Sequence, residues 1–271
     1  MNSRDPLELN AALRVGSGAT IKSTKELESM REAGRVVALT IRRVVAALEP
    51  GVTTGELDRL ARKEIQSHGA KPSFLGYAPH PDIAPFPATI CVSVNEEIVH
   101  GIPGPRVLAE GDVVSVDVGA VVDGFHGDSA VTEIVGNGTN EKRALLETTR
   151  RALELGIEAA TPGGRIGDIS AAIEAHVEKS DYGLVIEYTG HGIGRRLHEP
   201  PSVPNYGESG QGQLLRPGMT LAIEPMVNLG GWKTKPLDDG WTVATADGSI
   251  SAHFEHTIAI TENGTQILTS A

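Results

Sequence analysis

The chain has 271 residues, 39% hydrophobic and 22% charged, enough to bury a full core as one large domain or two small ones. A formal charge of -11 argues against a nucleic-acid footprint, which needs clustered Lys and Arg, and the single cysteine excludes a disulfide framework within the chain. The start, Met1-Asn-Ser-Arg-Asp-Pro-Leu-Glu, has no apolar run like a signal peptide, and no apolar stretch reaches the roughly 18 residues of a membrane span, so a cytoplasmic enzyme is expected.

Residues 1–22 are polar and lack periodicity, and a flexible N-terminal arm is expected there, followed by one catalytic domain over 23–271. Ser23-Thr-Lys-Glu26 fits a capping box and opens a helix with Leu27, Met30, Ala33, Val37, Ile41, Val44 and Leu48 on its apolar side, closed by Pro50-Gly51. Thr53-Thr-Gly-Glu56 starts a second helix to about Gln66. Residues 88–135 are rich in strand signals, and Asp123-Gly124 between two alternating runs predicts a two-residue hairpin. Closing the turn there sets Asp117 opposite Ala130 and Gly119 opposite Asp128. The two aspartates then share one face as diagonal neighbours, about 7 to 8 Å apart. In an apolar setting such carboxylates repel and suffer desolvation, and divalent cations remove both penalties. Helices are predicted again at about 140–160 and 168–179, then mostly strands, with a second Asp-Gly turn at Asp247-Gly248.

This order contains a repeat. Shifting by 112 residues sets Pro50 on Pro162, Gly51 on Gly163, Gly55 on Gly167 and Glu56 on Asp168; later, Gly111 precedes Asp117 as Gly218 precedes Glu224. Two halves, about 23–138 and 139–271, would each be two helices followed by antiparallel strands, converging their acids at a pseudo-twofold centre. Ordinary punctuation around helices and strands is the competing explanation.

Tyr188-Thr-Gly-His-Gly-Ile-Gly-Arg-Arg-Leu-His-Glu-Pro200 carries His191 and His198 among glycines that let backbone approach a ligand centre, and Glu224 and Glu255 sit in apolar strand-like runs. With these residues, and with Cys91-Val-Ser-Val-Asn-Glu, His100-Gly-Ile-Pro, Gly240-Trp-Thr and Phe254-Glu-His-Thr in order, the chain resembles the type I methionine aminopeptidases of the pita-bread fold, an α+β architecture, over residues 23–268. The resemblance implies two divalent ions, of Mn, Fe, Co or Zn, with Asp128 and Glu255 bridging, His191 and Glu224 completing one site and Asp117 chelating the other. It implies Glu224 as proton shuttle, and His100 and His198 as hydrogen-bonding partners of the scissile amide nitrogen and carbonyl oxygen. It points to Tyr77, Phe86, Cys91, Leu197 and Trp241 as an apolar pocket for methionine. The implied substrate is the N-terminal methionine of nascent proteins with a small second residue, and the implied setting is a cytoplasmic monomer in association with the ribosome, without nucleic-acid or membrane binding.

Three departures from that pattern stand out. Leu197 replaces the usual Phe and shortens one pocket wall; His253 stands where Gln is common; and Ala78-Pro-His-Pro-Asp-Ile-Ala-Pro85 is a longer, Pro-stiffened loop that either reshapes access or caps the surface. Two alternatives are a proline-specific peptidase of the same fold, which usually carries a large N-terminal domain, and a non-catalytic binding relative. A cysteine-protease reading through Cys91 leaves the acids unexplained. Gly190-His-Gly-Ile-Gly lacks the spacing of a dinucleotide fingerprint, and His68, His80, His126, His176 and His256 are read as surface or packing residues.

Overall fold

The computed structural model describes residues 18–271. Residues 1–17, most of the expected arm, lie outside the described residues. The rest of the arm is pinned: the Lys22 N–H donates to the Gly218 carbonyl at 2.7 Å, and its ammonium reaches Glu199 at 3.0 Å.

Helix α1 (Thr24–Val45) begins with the Ser23/Glu26 capping box and buries Met30, Ala33, Val37, Ile41 and Val44. It ends earlier than Pro50 because Ala47 and Leu48 donate to Val44 and Val45, three residues back, tightening the chain into a turn. Helix α2 (Thr54–Ser67) carries the second capping box, Thr53 with Glu56. Strands β1 (Lys71–Pro72), β2 (Cys91–Val94), β3 (Glu97–Val99), β4 (Val113–Val122) and β5 (Phe125–Ile134) complete the first half. The second half repeats the order with α3 (Asn140–Ala159) and α4 (Ile166–Val177). Its strands are β6 (Gly183–Leu184), β7 (Gly190–Gly192), β8 (Glu199–Val203), β9 (Thr220–Ile223) and β10 (Met226–Asn228). Then come β11 (Thr234–Pro236), β12 (Val243–Thr245), β13 (Ser251–His253), β14 (His256–Thr261) and β15 (Gly264–Ile267).

Every strand pairing is antiparallel: β5 and β1–β4–β2 form one sheet, β15–β14–β9–β7–β8 another, with β13–β10–β6 and β11–β12–β3 at the sides. The two capped helices of each half lie on its own sheet. Val36, Ile65, Val114 and Val116 belong to the first core, and Leu145, Ile169, Leu221 and Ile258 to the second.

The duplication is visible in the backbone. Gly51 donates to Leu108 at 2.8 Å and Gly163 to Leu215 at 2.9 Å; Thr54 donates to Arg106 and Ile166 to Gln213, both at 3.0 Å; Gly111 donates to Val135 at 2.7 Å and Gly218 to Ile260 at 2.8 Å. Chance punctuation would not reproduce these tertiary bonds. The two halves meet where Glu255 donates to the Ala130 carbonyl at 2.9 Å and Ala130 donates back at 3.3 Å.

The turn at Asp123 and Gly124 has positive φ at both residues, 51° and 79°, as a type I′ hairpin requires, and the register sets Asp117 on Ala130 and Gly119 on Asp128. Helix α1 rides directly on this hairpin and on the C-terminal segment. A methyl group at Gly34 would sit 2.2 Å from the Leu268 carbonyl oxygen, and one at Gly127 would sit 2.8 Å from the Gly34 nitrogen. Gly34→Ala therefore lowers stability by about 1–3 kcal/mol through overpacking against backbone. A reduced urea midpoint with unchanged slope is the expected readout, and an unaltered midpoint would contradict so close a seat.

Candidate metal centre and substrate cavity

Asp117 projects from the middle of β4, Asp128 from β5, His191 from β7, Glu224 from the residue after β9, and Glu255 from the link between β13 and β14. Asp128, His191 and Glu255 each place one donor atom within 4.8 Å of the others. His191 Nε2 lies 3.5 Å from Glu224 Oε1, and Asp117 lines the same cavity as the other four. All five expected ligands thus converge where the halves join. Thr257 reinforces the junction, accepting the Asp128 N–H at 3.0 Å and donating its hydroxyl to the Asp128 carbonyl at 2.7 Å.

The electrostatics are those of a centre built for cations. Asp117 Oδ1, Asp128 Oδ1 and Glu255 Oε1 are buried without any hydrogen-bond partner. Such orphaned anionic oxygens are costly in a protein interior and fit a metal site. Burial pushes the Asp117 carboxyl up to about 7. Burial, and then the neighbouring carboxylates, raise Asp128, Glu224 and Glu255 well above the usual carboxylate range. His191 is held neutral, its pKa lowered to about 4 by burial. Its Nδ1 lies 2.9 Å from the Gly192 carbonyl, which can only accept, so the ring proton sits on Nδ1 and the Nε2 lone pair faces the acids. One imidazole with four carboxylates is an oxygen-rich set that suits exchangeable divalent ions rather than a closed structural zinc.

A cavity of about 220 Å³ opens over this centre. Tyr77, Phe86, Cys91, His100, Leu197, His198 and Trp241 all line it, as do Phe74, Ile83, Val99, Tyr188 and Val243, which sequence patterns alone do not single out. Phe86 meets Trp241 edge-on at 5.2 Å and Phe74 at 6.5 Å. The Trp241 indole N–H donates to the Ala84 carbonyl at 2.9 Å, tying the Pro-rich loop to the wall, and Pro79 and Ile83 of that loop face the cavity. The loop therefore forms part of the cavity wall as well as the surface. Tyr77 Oη lies 2.5 Å from His198 Nδ1, and the His198 ring is 4.2 Å from that of His191.

Cys91 is buried opposite Asp117, and burial followed by the nearby carboxylates pushes its thiol well up, which disarms it as a nucleophile. His68, His126 and His256 bond to Glu64, Ser73 and Thr269 at 3.1, 2.9 and 2.8 Å, His80 pairs with Asp82, and His176 lies on α4, all outside the centre. His253 is different. It is buried with Nε2 unpartnered, 3.8 Å from Glu224 Oε2. Counting back from the matched pair Val135 and Ile260, it is the counterpart of Asp128, so the duplication equates Asp117 with Glu224 but replaces the second acid by an imidazole.

The sequence profile of metallopeptidase family M24 matches residues 28–262. The chain belongs to metallopeptidase family M24. Within M24, it is 52% identical over 248 residues to methionine aminopeptidase 1 of Bacillus subtilis, covering 92% of this chain and 98% of that protein. It superposes on the crystal structure of methionine aminopeptidase from Thermotoga maritima with a TM-score of 0.90 and 47% identity, covering 94% of this chain and 100% of the other. A prolidase from Pyrococcus furiosus, with a TM-score of 0.75 and 22% identity over 98% of this chain and 67% of its own, shares the pita-bread fold. Membership of M24 and the orphaned donor set together assign divalent metal binding to this centre.

Without cations, carboxyls such as Asp117 hold protons in the folded chain at pH values where the unfolded chain, with its carboxyls near 4, has lost them. These carboxyls therefore contribute less to stability as pH rises from about 4 through 7, while the buried neutral imidazoles, their pKa held near 4 by burial, contribute more over the same range. A divalent cation, which competes with these protons, should raise the melting temperature of the chelator-stripped protein by more at the alkaline end of this window than at the acid end, at roughly 2–4 °C per kcal/mol. A gain on adding the cation that is no larger at the alkaline end than at the acid end would contradict the assignment.

Proposed function

We propose that this chain is a metal-dependent methionyl aminopeptidase that removes the initiator methionine from nascent proteins when the second residue is small. The observation that carries the reading is the placement of unpartnered, buried carboxylate oxygens at one end of an apolar, aromatic-walled cavity. In this reading Asp128 and Glu255 would serve both of two divalent ions, His191 and Glu224 would complete one set and Asp117 the other, and Mn, Fe, Co or Zn would suit the donors. When bound, paired ions supply an activated water and a polarised substrate carbonyl.

The remaining steps belong to side chains. Glu224, its carboxyl raised by burial and by Asp128 and Asp117, takes up the water's proton and returns it to the departing amine. The Tyr77 hydroxyl, pushed up to about 12 by burial and by Asp128, keeps its proton and donates it to His198 Nδ1. The proton of neutral His198 is thereby on Nε2, available to the oxygen that gains charge on attack. His100, kept neutral by burial with its pKa near 4, accepts from the scissile N–H. The methionine side chain lies among Tyr77, Phe86, Cys91, Leu197 and Trp241, where its flexible thioether fills the space left by the shorter Leu197 wall.

The reading treats residues 23–271 as one catalytic unit acting as a cytoplasmic monomer near the ribosome. No helix among the described residues is long and apolar enough to cross a membrane.

The wild-type protein should release methionine from Met-Ala-Ser but not from Met-Leu-Ser, leave an Xaa-Pro dipeptide intact, and lose activity on chelation. Preference for the Xaa-Pro dipeptide would move the assignment to the prolidases. Replacing His198 by Ala should lower kcat by about 10²–10³-fold, the usual cost of one donor to a developing oxyanion, with KM little changed. A kcat within threefold of wild type would remove His198 from the mechanism.

A further inference from the structure

Glu199 follows His198 directly, and its carboxylate closes the loop that presents Leu197 and His198 to the cavity. Oε1 accepts the Arg196 N–H at 3.1 Å, folding the side chain back across the loop. Oε2 accepts the Thr20 hydroxyl at 2.6 Å and the Lys22 ammonium at 3.0 Å. The Lys22 and Glu199 side chains are only 5% and 4% exposed, and Lys22 also bonds to the Thr20 hydroxyl. No side chain separates the pair from the loop: a methyl group at Gly194 would lie 2.6 Å from Lys22 Cε and 2.8 Å from Glu199 Oε1. The segment bearing Lys22 is itself fixed by the Lys22 N–H donating to Gly218, two residues before β9, the strand that leads into Glu224.

A buried ion pair is weak evidence for stability, since desolvation offsets its attraction and an apolar pair of the same shape folds as well or better. Its distinct property is directional, charge-assisted bonding that fixes position. We infer that Lys22 is a positioning residue for the proposed reaction: through Glu199 it holds the 194–199 loop, and with it the His198 imidazole, in place over the carboxylate centre. The inference rests on the aminopeptidase reading. It gives the segment before α1 a part in chemistry carried out elsewhere in the fold.

Lys22→Met keeps the length of the stem and removes the charge. Measured well below the melting temperature, on protein with wild-type metal content, its kcat on Met-Ala-Ser should fall about 10- to 100-fold, the effect of a small misplacement of a catalytic group. The decisive arm repeats the substitution in the His198→Ala background, where it should change kcat by less than about twofold because the group it positions is gone. Equal losses in both backgrounds would show a merely structural role and overturn the inference, as would wild-type kcat in Lys22→Met. Should Lys22→Met not fold, Thr20→Val removes one bond to the same carboxylate oxygen and should show a smaller loss with the same dependence on His198; independence from His198 would again overturn it. Arg195→Ala, which removes an exposed ion pair from this loop to Glu26, should leave kcat unchanged, and a comparable loss there would show that any disturbance of the loop suffices. Wild-type protein that releases no methionine would overturn the aminopeptidase reading itself, whereas active wild type with an indifferent Lys22→Met overturns only the role of Lys22.

Discussion

Four carboxylates crowded around a buried imidazole are the constraint on which the rest of this structure depends. Each would cost several kcal/mol to bury as an unpaired charge, and mutual repulsion adds to that cost. The chain does not relieve it with arginine or lysine: Asp117, Asp128 and Glu255 each keep an oxygen without any partner. Only protons or cations can neutralise such a site, and the competition between the two sets how the protein responds to pH and to chelators.

The architecture answers this constraint by making the centre the seam between two halves. Asp117 and Glu224 occupy matched positions in the repeat, Asp117 within β4 and Glu224 directly after β9, and the reverse sides of these strands pack against the helices of their own half. The reciprocal Ala130–Glu255 bonds and the Thr257 bridge to Asp128 then stitch the sheets together beside the ligands. Asp117, Asp128 and His191 sit on strands, and Glu224 and Glu255 in the short links directly beside β9 and β14, so ladder hydrogen bonds at or next to each donor hold their spacing, while His198 and the Pro-rich loop lie on connections around the cavity.

Much of this was legible in the sequence where local chemistry determines geometry. Asp123-Gly124 admits few turn types, and the turn sets the register, so the shared face of Asp117 and Asp128 followed from a dipeptide. Capping boxes located the starts of α1 and α2 for the same reason. What depends on contacts between distant segments was not legible. Lys22 sits in a polar, aperiodic stretch that gives no sign of its burial against Glu199. Phe74, Val99 and Val243 carry no motif and reach the cavity only through the packing of three separate strands or turns. Tyr188 did have a signal, standing three residues before His191, but an aromatic beside a glycine-framed histidine is as readily core as wall. The placement of His253 against Glu224 needed the β10–β13 pairing, which no turn announces.

The central claim is tested most directly by counting ions. Equilibrium binding of Mn(II) or Co(II) to the chelator-stripped protein, with metal analysis of the dialysed complex, should give about two ions per chain for wild type. For Asp128→Ala, which in the proposed arrangement removes a donor shared by both positions, the account predicts at most one weakly held ion with the fold retained. A wild-type chain that takes up no divalent metal, or an Asp128→Ala chain that binds the same number with the same affinity, would contradict it.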